Sequence, residues 1–230
     1  PADCCGWRTG VRTQHAKYRM NKQAVYRALL RLIPPRRLLL EGNGLSGPDE
    51  QILLGILRRH RCIGGEVRLC DTSGVSVAYR YGVGEGTAFR VASISKMLTA
   101  ACVLKLAELG MVDMHVPADA YLPYTLRHPA HADVPITLHM LMTHTAAIKD
   151  GADYGLAMQQ LTPADQVLAG DSWHAYPPGE KWSYSNLGAG LVGCVLEAAL
   201  GEPFESIMQK YLFMPFGIRA SFYPQFIPGP

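Results

Sequence analysis

Apolar residues change their spacing several times along the chain, and each change marks an element. Ile52, Leu53, Ile56 and Leu57 recur at helical intervals, which predicts a helix from Pro48 to His60 that Gly64-Gly65 closes. In the next two stretches, Glu66–Cys70 and Val75–Tyr81, apolar side chains tend to alternate. They predict two strands joined by a turn at Asp71–Gly74. Phe89 to Ala92 reads as extended. From Ser93 to Leu109 the pattern predicts the strongest helix of the chain, with Ile94, Met97, Leu98, Ala101, Leu104 and Ala107 as its buried stripe and Gly110 just past its end. Thr137 caps a short helix reaching Thr143, and Thr162-Pro163 opens another. Lys181 to Tyr184 is extended. Two more helices follow, Asn186 to Leu200, stopped by Gly201, and Phe204 to Phe213. Leu40 to Pro48 reads as loop. Two strands do not make a stable sheet alone, so other strands are expected to complete it.

Composition adds limits rather than detail. The chain has 230 residues, 48% hydrophobic and 18% charged, which suits one large globular domain or two small ones. No apolar run approaches the roughly 20 residues that span a bilayer. Charge divides the sequence. Residues 1–40 carry nine Lys and Arg against one acid, a net +8, whereas the whole chain is only +3, so the remainder sums to −5. Residues 1–47 therefore read as a basic leader and 48–230 as the body. The leader suits a targeting segment or a surface-binding arm, with an amphipathic helix from Met20 to Ile33 ended by Pro34-Pro35. Arg27 and Arg31 interrupt its apolar stretch, so it does not read as a secretory signal. The six cysteines include no C-x-x-C pair, and Cys102 and Cys194 fall in helical apolar patterns as small buried hydrophobes. No metal site and no cofactor are expected. His128, His131, His139 and His144 read as satisfied or solvated histidines. Gly82, Gly84 and Gly86 form a loop without the helix or Lys-Ser/Thr that a phosphate loop needs.

Candidate chemistry centres on Ser93-Ile94-Ser95-Lys96. On a helix, Ser93 and Lys96 share a face with Cβ atoms about 5–6 Å apart. A serine hydroxyl needs a neighbour that takes its proton, and a lysine does so where its charge is disfavoured. A helix N-terminus adds N–H groups for a developing oxyanion. The motif alone arises by chance about once in a chain of this length. Its position gives it weight, since it opens a long apolar helix. Tyr184-Ser185-Asn186 is the second piece. It precedes another apolar helix and offers a phenol as proton relay and an amide for a substrate carbonyl; a buried Tyr with a helix-capping Asn fits the same letters. Trp173, His174, Tyr176 and Trp182 lie near it and either line a cleft or pack the loop.

Three blocks carry a family resemblance. FRVASISKMLTAACVLKLAELGMVDMHVPADAYLP resembles the active-serine region of class C β-lactamases and their relatives, D-Ala-D-Ala peptidases and esterases. PITLHMLMTHTAAI resembles the segment before the active-site rim. PPGEKWSYSNLGAGLVGCVLEAALGEPFESIMQKYLFMPFGI resembles the Y-x-N region and the helices after it. The resemblance implies an α+β fold, a partial β-lactamase/transpeptidase-like arrangement with a mostly helical region and an N-terminal β-hairpin of an incomplete antiparallel sheet. It implies that Ser93 is acylated, that Lys96 and Tyr184 transfer its proton, and that Asn186 contacts the substrate. It further implies a bacterial periplasmic or envelope location.

Two departures from the family pattern stand out. Ala146-Ala147 occupies the place of a Ser-Gly, and because Ala resists positive φ the loop is expected to differ. The third family motif, Lys/His-x-Gly, does not follow Asn186; Lys149-Asp150-Gly151 precedes Tyr184 and Arg8-Thr9-Gly10 precedes the serine. A C-terminally truncated domain is the expected explanation. Two functions follow: a serine hydrolase for β-lactam, ester or D-peptide substrates, or an inactive or ligand-binding protein on the same scaffold. The partner is a small or peptide-like substrate, with no nucleic acid expected.

Overall fold

The computed structural model describes residues 40–152, 154–155 and 163–227. The leader helix predicted over 20–33 and the cap predicted at Thr162 lie outside them. The described chain forms two compact units that divide between Thr87 and Ala88.

The first unit is a three-stranded antiparallel sheet with one helix. Its strands are β1 (Leu40–Asn43), β2 (Gly65–Asp71) and β3 (Gly74–Tyr81), in the order β1-β3-β2. The β2–β3 hairpin matches the predicted pair to within a residue at each end. Its turn is pinned by Ser73 N donating to the Asp71 carboxylate at 2.8 Å. β1 corrects the sequence reading, which made this segment a loop because Gly42, Asn43 and Gly44 are turn residues. Here Gly42 lets two backbones meet: it pairs with Tyr79, and a Cβ on it would lie 1.8 Å from the Ala78 carbonyl oxygen. Between β1 and β2 runs α1 (Gly47–Arg59). Pro at its start, Asp49 and Glu50 in its first turn and Arg58 and Arg59 in its last all suit the helix dipole. Its apolar side chains Ile52 and Ile56 are exposed. Periodicity announced the helix without saying what covers it.

The second unit is largely helical. A 3-10 turn (Ala92–Ile94) leads directly into α2 (Ser95–Glu108). After a short β4–β5 hairpin (Arg127–His128 and His131–Pro135) come α3 (Leu138–Met142) and α4 (Ala164–Leu168). α5 (Asn186–Leu200) follows, then α6 (Phe204–Met208), which continues as a π turn over Gln209–Phe213. The β4–β5 hairpin was read as loop because prolines punctuate it. His128 within it is buried and satisfied at both ring nitrogens, by the His174 carbonyl at 2.7 Å and the Ala130 amide at 3.1 Å. α5 has its predicted bounds, and Gly201 ends it at φ 67°.

The core is shared by α2, α3, α5, α6 and the π turn. α5 supplies Leu191, Val192, Val195 and Leu196, and the chain after it Ile207, Met208 and Phe213. On α2 the predicted stripe holds only in part: Leu98 and Ala107 are partly buried against the core. Cys102, Val103 and Leu106 are fully buried, whereas Ile94, Met97 and Leu104 are 58%, 70% and 54% exposed. Apolar residues surround nearly the whole of this helix, so spacing does not choose a face. Cys102 is the small buried hydrophobe expected, Cys194 is partly buried, and Cys70 is exposed. Among the described residues, no single helix is long and apolar enough to cross a membrane.

Candidate active site

Ser93 occupies the middle of the 3-10 turn, two residues before α2 proper. The approach is not the extended strand expected from Phe89 to Ala92. Val91 has φ −85° and ψ −2°, and Ala92 takes φ 47°. A left-handed alanine costs about 1–2 kcal/mol. The turn is held by Ile94 N donating to the Val91 carbonyl at 3.1 Å and by Ser95 Oγ donating to the Ala92 carbonyl at 2.7 Å. The chain therefore bends sharply and presents Ser93 at the surface.

The next helical turn places Lys96 beside it, with Lys96 Nζ donating to Ser93 Oγ at 3.3 Å. Tyr184, 91 residues later, brings its hydroxyl to 2.8 Å from Ser93 Oγ. Asn186 closes the group. Its Oδ1 accepts from Lys96 Nζ at 2.8 Å and from the Tyr184 hydroxyl at 3.3 Å. All four residues singled out in the sequence thus lie within one hydrogen-bonded cluster. The donor directions order the protons: with Lys96 donating into Ser93 Oγ, the serine's own hydrogen is free to point at Tyr184. Tyr184 ionises more readily than an ordinary phenol, first through hydrogen bonding by Lys96 and then by Ser93. Lys96 Nζ also lies 5.1 Å from the centre of its ring.

α5 is capped by Ser185, whose Oγ accepts from Gly188 N at 2.9 Å. Asn186 is therefore not the cap, and its amide is free for other work. Both of its ends are engaged: Nδ2 donates to Asp150 Oδ2 at 2.7 Å, opposite the Oδ1 that faces Lys96. One Nδ2 hydrogen remains to be donated to a ligand.

Two members of the site were missed in the sequence. The sequence marks Asp150 only as the middle of Lys149-Asp150-Gly151, and His144 only as a satisfied or solvated histidine. His144 borders the site. Its ring lies 4.6 Å from that of Tyr184, and Trp182 meets it edge-on at 6.3 Å. Its Nδ1 accepts from Ser185 N at 3.3 Å, which requires the neutral ring. Burial and then the Lys96 charge push its pKa below the usual histidine value. No spacing rule links His144 or Asp150 to a motif forty residues on. Trp182 is exposed beside the site, whereas Trp173 packs on the core with its Nε1 bonded to the Leu168 carbonyl at 2.8 Å. His174 and Tyr176 stack at 4.8 Å.

The expected change in the Ala146-Ala147 loop does not occur by avoidance of positive φ. Ala147 takes φ 57° despite its Cβ. Antiparallel pairing holds it there: His174 N donates to the Ala147 carbonyl at 2.9 Å, and Ile148 bridges to Trp173.

The site thus offers a serine with a lysine and a phenol at its oxygen, in the 3-10 turn that leads into α2. Comparison with known proteins supplies the family. The sequence model described as Beta-lactamase matches residues 52–230, and the chain belongs to that family. It is 30% identical over 140 residues to the D-alanyl-D-alanine-carboxypeptidase/endopeptidase AmpH of Escherichia coli (strain K12), covering 58% of this chain and 36% of that protein. It is 26% identical over 215 residues to the esterase EstB of Burkholderia gladioli, covering 81% and 54%. The chain thus spans about half or less of these relatives' lengths. Among solved structures, the octameric penicillin-binding protein homologue from Pyrococcus abyssi superimposes with a TM-score of 0.65 at 22% identity, over 78% of this chain and 45% of that one. The β-lactamase/D-alanine carboxypeptidase from Yersinia pestis gives 0.55 at 25% identity, over 70% and 50%. The family resemblance and the α+β fold read from the sequence are borne out. Three of these four proteins are named for hydrolase activities: a carboxypeptidase/endopeptidase, an esterase and a β-lactamase/D-alanine carboxypeptidase.

Proposed function

We propose that this chain carries the acyl-accepting serine of a hydrolase, with Ser93 as nucleophile. The observation that supports it most is the approach of Tyr184 and Lys96 to one serine oxygen, at 2.8 and 3.3 Å. In this reading ionised Tyr184 takes the Ser93 proton as Oγ bonds to the substrate carbonyl carbon. The proton then passes to the leaving nitrogen or oxygen as the C–N or C–O bond breaks, leaving an acyl ester on Ser93. Lys96 keeps positive charge beside the phenolate, and the Ser93 N–H at the start of the helix donates to the developing oxyanion. Water, deprotonated by Tyr184 as its oxygen bonds to the acyl carbon, releases the acid as the C–Oγ bond breaks, and that proton passes to Ser93 Oγ to restore the serine. Asn186 holds Lys96 and contributes its remaining N–H to the substrate.

The substrates proposed are carboxylic derivatives of the kinds named for the relatives: a β-lactam, an ester or a D-alanyl peptide. Intact-mass measurement after mixing with a penicillin, a short-chain activated ester and a D-Ala-D-Ala peptide, each separately, tests this. An added acyl mass that maps to Ser93 and is absent in Ser93→Ala supports the reading and identifies the class. A folded protein that gains no mass from any of the three, or gains it elsewhere, overturns it.

A further inference from the structure

Asp150 lies outside the serine, lysine and phenol group, yet it makes three hydrogen bonds at the N-terminus of α5. Its Oδ2 accepts from Asn186 Nδ2 at 2.7 Å, and its Oδ1 from Ser185 Oγ at 3.1 Å and Leu187 N at 2.9 Å. The backbone fixes where this carboxylate stands. Lys149 N donates to the Ser172 carbonyl at 3.0 Å. Gly151 approaches the same segment so closely that a Cβ would lie 2.0 Å from the Asp171 carbonyl oxygen. Lys149 itself is paired with Asp171 at 2.6 Å, so it does not neutralise Asp150.

An asparagine amide can turn over, exchanging its oxygen and nitrogen at little steric cost. A carboxylate only accepts, so Asp150 admits one orientation, with Nδ2 toward itself and Oδ1 toward Lys96. With the amide reversed, Nδ2 would face the Lys96 ammonium, donor against donor, and Oδ1 would face a carboxylate, acceptor against acceptor. We propose that Asp150 is a positioning residue for the serine chemistry: it fixes the sense of the Asn186 amide and, through it, the place of Lys96 at Ser93. This rests on the proposed role of Ser93. It differs from simple capping of α5, which the Leu187 and Ser185 contacts alone would provide.

The test is the rate at which a fluorophosphonate labels Ser93, measured across pH for wild type, Asp150→Asn, Asn186→Ala and the double variant. Asparagine at 150 is nearly isosteric and still accepts from Leu187 N and Ser185 Oγ, but offers N–H groups to Asn186. Asp150→Asn is expected to slow labelling about tenfold, the effect of losing one well-placed hydrogen bond, and to move the midpoint of its pH profile. Added to Asn186→Ala, it should change the rate less than twofold, because the residue through which it acts is gone. Val195→Ala, a core truncation far along α5, supplies a destabilised control whose pH midpoint should stay in place. Equal slowing by Asp150→Asn with and without Asn186, or an unmoved midpoint, would overturn the inference and leave Asp150 a cap. Wild type that is never labelled would instead overturn the role of Ser93.

Discussion

Tyr184 is the residue at which the account is most exposed to experiment. Its hydroxyl is the closer of the two partners of Ser93 Oγ, and its pKa is lowered from 10.0 by hydrogen bonding to Lys96 and then to Ser93. In the proposed mechanism the ionised form is the active one. Acylation of Ser93 should therefore rise with pH and level off below the ordinary phenol range, falling away as pH drops through the lowered value. Tyr184→Phe removes the proton acceptor and is expected to slow acylation by roughly 10²–10⁴-fold, the usual weight of a positioned base. His144 makes a second prediction. Its folded pKa lies below the usual histidine value, chiefly through burial, so the fold prefers it neutral. That preference contributes stability above the unfolded pKa and is lost as pH falls through the folded one. His144→Asn removes the titration and suits the positive φ of 59° at this position. Urea midpoints measured from about pH 7 down to about pH 5 should fall less in the variant than in wild type. Ser93 and Lys96 were legible in the sequence because one helical turn brings them together. Asp150 and His144 were not, because their places depend on long-range pairings, with residues 172–174 for Asp150 and with Ser183 and Ser185 for His144, that no local pattern announces.

At the scale of elements, most starts and stops were written locally. Thr137 caps α3 by accepting from Met140 N at 3.2 Å, and Gly201 ends α5. Thr137→Ala should cost about 1 kcal/mol in denaturant unfolding, the typical value of a lost cap, and leave Ser93 labelling unchanged. Burial was less legible than position. α2 is apolar on nearly every side, so the choice of face is made by what packs against it. Leu106→Ala should cost about 2–5 kcal/mol, whereas Met97→Ala, at a side chain 70% exposed, should stay within about 0.5 kcal/mol. Equal losses would mean that the assigned face is wrong. β1 and the β4–β5 hairpin show the opposite failure. Glycine and proline there speak for turns, and pairing with another strand overrides them.

For the molecule as a whole, the sequence carries its family in several concordant blocks more clearly than in either short motif. Ser93, Lys96, Tyr184 and Asn186 come from two separate stretches, and the packing of α2 and α5 in one unit brings them to one cluster. The basic stretch of residues 1–40 stands apart from the acidic remainder in charge. The residues of the proposed chemistry all lie in the second compact unit. In the proposed function this cluster makes Ser93 a nucleophile. The measurement that bears on it most directly is fluorophosphonate labelling followed by peptide mapping, run on wild type, Ser93→Ala, Lys96→Ala and Tyr184→Phe with folding checked by circular dichroism. The account predicts label on the peptide containing Ser93, none in Ser93→Ala, and rates at least about a hundredfold lower in the other two. Label at another residue, or a Ser93 that reacts equally well without Lys96 and Tyr184, would contradict it.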